Sequence, residues 1–64
     1  MNEEQILKDL EWTKSFHYAD PIRMAELMIL HYADSLNGYN ITDETWTIEK
    51  LKHWCEVKER LKNE

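Results

Sequence analysis

One glycine and one proline are the only strong helix breakers in this 64-residue chain, and each stands where a helix would begin or end. Asp20-Pro21 reads as a helix start: the Asp side chain can accept from free backbone N–H groups, and proline gives up nothing in the first helical turn. Asn37-Gly38 reads as a helix stop, because glycine takes the left-handed conformation after a last turn. The two marks divide the chain into three segments, each with helical spacing of apolar residues. The expected fold is all-α: a single small domain over residues 1–64, with three helices near 3–18, 21–37 and 43–62.

The first segment opens with Asn2 as cap and Gln5 three residues on, a capping-box pattern. Glu3 and Glu4 suit the positive end of the helix dipole. Ile6, Leu7 and Leu10 form one apolar stripe, continued at helical spacing by Lys14 and His17. Trp12 and Phe16 fall roughly 120–160° from Leu10, so this helix has a second apolar face. The second segment is the most apolar. Met24, Ala25, Met28, Ile29, Tyr32, Ala33 and Leu36 cover about half its circumference, which marks it as the central element, covered on both flanks. Leu27 and Leu30 lie on its other side, among Arg23, Glu26, His31 and Asp34.

The third segment has two possible starts. Thr42 as cap puts Asp43 and Glu44 in the first turn and sets Ile41 and Trp46 at the spacing of a hydrophobic staple. Thr47 is the rival, with a short hairpin over 39–48 as the alternative, since Thr45 to Ile48 favour strand. The preferred start is Thr42. Beyond it, Ile48, Leu51, Trp54, Cys55, Val57 and Leu61 form the apolar stripe. Lys52/Glu56 and Glu56/Arg60 are supporting pairs four apart on the wet face.

A chain this short buries only about 60% of its unfolded surface, so outside help with stability is common. Cys55 is the only cysteine, which excludes a disulfide within the chain. A free thiol and an N-terminus without signal-peptide character suggest the cytoplasm. No run of ~20 apolar residues is present, so no membrane span is expected. Apolar residues at 42% and aromatics at 11% rule out a disordered chain. The net charge is −5, and it is uneven. Residues 1–44 carry nine acids and three bases, and residues 45–64 carry four acids and five bases.

Catalytic chemistry finds no footing. His17, His31 and His53 fall one per segment, where a zinc site needs close ligand pairs. His31 with Asp34 is the nearest approach. The histidines read as surface or edge residues, with His53 within reach of Glu49. Cys55 reads as a small buried hydrophobe rather than a nucleophile. No glycine-rich loop exists to cradle phosphate. No enzyme activity, metal or cofactor is therefore expected. Asn40-Ile41-Thr42 matches a glycosylation acceptor by chance.

The aromatics carry more information. Trp46 and Trp54 are expected in the core. Trp12 and Phe16, with Leu27 and Leu30, form surplus apolar surface that three helices cannot hide, and such patches mark binding or self-association. The expected partner-binding residues are Trp12, Phe16, Leu27, Leu30, Arg23 and Asp34. The expected partner is a protein, or a second copy of the chain as a homodimer; the chain reads as a small acidic interaction module or regulator. One alternative is a helix-turn-helix using Lys50, Lys52, Lys58, Arg60 and Lys62, although net negative charge disfavours nucleic acid. A further alternative is an acidic nucleic-acid mimic displaying Glu3, Glu4, Asp9, Glu11, Asp20, Asp43 and Glu44.

Overall fold

The computed structural model describes residues 2–37 and 43–64. It contains three helices: α1 (Glu3–Lys14), α2 (Pro21–Asn37) and α3 (Glu44–Lys62). The all-α, three-helix expectation holds. Gly38, Ile41, Thr42 and the glycosylation triplet lie outside the described residues, as do residues 39–42 of the hairpin alternative. Its remaining part, from Glu44 onward, is helical.

Each helix starts on a side-chain oxygen. Asn2 Oδ1 accepts from the Gln5 backbone N–H at 3.2 Å. Gln5 does not return the bond, and its Nε2 instead donates to Asp9 Oδ1 at 3.3 Å. Asp20 Oδ1 accepts from the Ile22 N–H at 3.1 Å. For α3 the cap is neither Thr42 nor Thr47 but Asp43, whose Oδ1 accepts from the Trp46 N–H at 3.0 Å. Thr47 sits one turn in, buried, with its hydroxyl bonded to the Asp43 carbonyl at 2.9 Å. Aspartate caps as well as threonine or better, so local capping strength favours this start.

α1 ends at Lys14, four residues before the expected boundary. The Ser15 hydroxyl and its N–H both donate to the Trp12 carbonyl, at 2.7 and 3.1 Å. That tightens the last turn and takes the carbonyl out of the α-helical ladder. The following turn carries Phe16 against Trp12, ring centroids 5.0 Å apart, and Tyr18 against Phe16 at 6.2 Å.

The core consists of Ile6 and Leu10 from α1, Ala25 from α2, and Trp54, Val57 and Leu61 from α3. Ile22, Met28, Ile29 and Tyr32 pack around it, half-buried. Thr13 is fully buried, its hydroxyl satisfied by the Leu10 carbonyl at 2.7 Å. The closest helix pair is α2 with α3, and α1 leans on both. The expectation that α2 is central and covered on both flanks is corrected here. Ala25 is its only fully buried residue, while α3 buries five. Leu7, placed on the same stripe as Ile6, is 52% exposed.

Candidate functional site

Helical geometry separates the faces of α3. Trp54, Val57 and Leu61 define its inner line, and at ~100° per residue His53 and Arg60 fall on one flank and Leu51, Cys55 and Lys58 on the other. α1 occupies the first flank. Arg60 holds the Glu3 carboxylate with both terminal nitrogens, Nη2 to Oε1 at 2.7 Å. His53 Nε2 meets Asp9 Oδ2 with both side chains largely buried. Lys14 pairs with Glu64 at 2.5 Å. These three pairs tie both ends of α1 to the C-terminal end of the chain and its middle to His53. The Arg60 hydrogen bond holds the Glu3 carboxyl below its ordinary value, and the Glu64 hydrogen bond holds the Lys14 ammonium above its own.

This seam corrects the reading of His53. It is a buried residue bonded to Asp9 on another helix, not an edge residue near Glu49. The usable signal was its place beside Trp54, which puts it at the border of the inner line.

The second flank of α3 is open. It joins the side of α2 that carries Glu26, Ile29 and Ala33, and a groove of about 310 Å³ runs between them, bridged by Lys58 to Glu26 at 3.4 Å. Cys55 is exposed on this flank, about 100° from Trp54, and not the buried hydrophobe expected. Trp46 is likewise corrected from core to surface, at 52% exposed. It stands in the first turn of α3, eleven residues before Val57 and at nearly the same azimuth, but outside the span from Trp54 to Leu61 that carries the core. There it meets the edge of Tyr32 at 5.8 Å and takes the Lys50 ammonium over its ring at 5.5 Å.

The six expected partner-binding residues divide into two groups. Trp12 packs edge-on to Trp54 at 5.8 Å and to Phe16 at 5.0 Å. Trp12 is 38% exposed and Phe16 half-buried, so much of their apolar area is already spent in closing the core beside α1. Arg23, Leu27, Leu30 and Asp34 are different. They fall within about 60° of one another on α2 and nearly opposite Ala25, which faces the core. Leu27 is 41% exposed and Leu30 54%, and Arg23 and Asp34 are exposed at either end of them. These four form one outward stripe, flanked by the α2–α3 groove.

Charge pairing also bears on nucleic acid. Arg60 is held by Glu3 and Glu56, Lys58 by Glu26, and Lys50 sits over Trp46. Among the described residues, Lys52 and Lys62 are the α3 cations that stand clear of such contacts. The acids offered for mimicry are depleted in the same way, since Glu3 and Asp9 point into the α1–α3 seam. Among the described residues, no three His, Cys, Asp or Glu side chains converge as metal ligands, and no helix is long and apolar enough to cross a membrane. Comparison of the chain with protein-family models, with curated proteins and with solved structures returns no match.

Proposed function

We propose that this chain is a small helical protein–protein interaction module, acting as a regulator through the outer stripe of α2. The observation that carries the reading is the placement of Leu27 and Leu30, exposed side by side and directed away from the core. The 4-3-4 spacing of Arg23, Leu27, Leu30 and Asp34 is that of residues which insert between the side chains of a facing helix. The partner surface is accordingly an apolar helix face lying along α2. A free, exposed Cys55 fits a reducing, cytoplasmic setting.

A photo-crosslinking amino acid placed at Leu30 in cells tests the reading, with the same probe at exposed Glu11 as control. A discrete protein adduct from position 30 alone supports it. An adduct at neither position, or equal labelling at both, overturns it.

A further inference from the structure

We propose that the occupant of the α2 stripe is a second copy of this chain, docked antiparallel about a two-fold axis midway between Leu27 and Leu30. The inference rests on the docking role of that stripe and names its partner. A two-fold interface is self-complementary: if residue i meets residue j of the other copy, then j meets i. The stripe meets this condition through its register. Leu27 and Leu30 share a midpoint with Arg23 and Asp34. When two α2 helices lie antiparallel about that midpoint, each Leu27 faces Leu30 of the other copy, and each Arg23 faces the other Asp34. Two charge pairs then close the ends of a four-leucine centre.

The parallel arrangement sets Arg23 on Arg23 and Asp34 on Asp34, and like charges at both ends reject it. Charge therefore selects orientation as well as partner. Both groups are available, since among the described residues neither Arg23 nor Asp34 forms an ion pair within the chain. The flanking Glu26 and His31 share the same midpoint, which places an acid beside an imidazole on each side. A 17-residue helix is about 25 Å long and contributes only two leucines per copy, so the contact falls below the ~1,200 Å² of a standard interface. The dimer is consequently weak.

Sedimentation equilibrium up to roughly 1 mM protein tests the proposal on wild type, R23D, D34R and the double variant R23D/D34R. The wild type is expected to dimerise, and each single reversal to weaken the dimer at least ~10-fold. The double reversal is expected to restore it, because antiparallel pairing regains opposite charges at both ends. Circular dichroism checks that all four proteins keep their helices. A wild type monomeric at every concentration overturns the proposal, and so does a dimer indifferent to both reversals. A monomeric wild type whose position 30 still crosslinks to a different protein in cells removes the second copy and leaves the docking surface standing.

Discussion

The imidazole of His53 meets the carboxylate of Asp9 across the α1–α3 seam, 44 residues apart in sequence. Gln5 bonds the other carboxylate oxygen, and the edge of Trp54 closes on the imidazole with ring centroids 5.5 Å apart. Removing either partner leaves a polar group stranded in a largely dry seam. Asp9→Ala is expected to cost about 1–3 kcal/mol in urea unfolding. The double variant Asp9→Ala/His53→Leu is expected to recover part of that loss, since no buried polar atom is then stranded and the exposed Gln5 amide turns to water.

Ile6 and Leu7 are neighbours of similar hydrophobicity with opposite fates. Ile6 is 1% exposed in the core and Leu7 is 52% exposed. Ile6→Val is expected to lower stability by about 1 kcal/mol. Leu7→Ala is expected to stay within about 0.5 kcal/mol of wild type. Chemical denaturation of the two variants separates these outcomes.

The start of α3 depends on Asp43 accepting from the Trp46 N–H. Asp43→Ala is expected to destabilise by about 1 kcal/mol and to lower helix content at the α3 N-terminus. Amide exchange at Glu44 to Thr47 measures the local part of that effect.

The Glu3–Arg60 pair gives stability an acid limb. The guanidinium hydrogen bond lowers the Glu3 carboxyl below its ordinary value of 4.5, partly opposed by desolvation. A depressed carboxylate favours the folded state above its ordinary value, and the advantage is lost as pH falls through the folded one. Glu3→Gln is therefore expected to melt slightly earlier than wild type near neutrality. The gap is expected to close as pH falls well below 4.5, which melting curves across the acid range measure.

Lys14 supplies the opposite limb. The Glu64 hydrogen bond raises its ammonium above 10.5, so the stabilisation is present below that value and lost as pH rises through the folded one. Lys14→Met is expected to match wild type only at strongly alkaline pH. Melting curves from neutral to alkaline pH provide the check.

Much of the local architecture was legible in the residues. Asn2 and Asp20 cap where their chemistry says they should, and the apolar spacing of Ile6 with Leu10, and of Trp54 with Val57 and Leu61, marks inner lines correctly. Errors arose where a choice depended on what another helix covers. Cys55 and His53 flank Trp54 at similar angles, yet α1 lies over His53 and leaves Cys55 in water. Trp46 and Trp54 have the same side chain, but Trp54 packs on Trp12 of α1 in the core, whereas Trp46, in the first turn of α3, meets the edge of Tyr32 and stays half open to water. The outer stripe of α2 was visible as residue types, since Leu27 and Leu30 fell outside the apolar half of the helix. Its separation from Trp12 and Phe16 was not visible, because Trp12 is drawn in by Trp54 some forty residues away, and Phe16 packs on Trp12.

Sequence alone determined the helices: their number, their periodicity and the starts of α1 and α2 follow from short-range backbone hydrogen bonding and side-chain capping, which act within a few residues. Tertiary structure decided the faces. Burial depends on which distant surface arrives, and the packing of α1 against one flank of α3 selected His53 for the interior while Leu27, Leu30 and Cys55 remained outside.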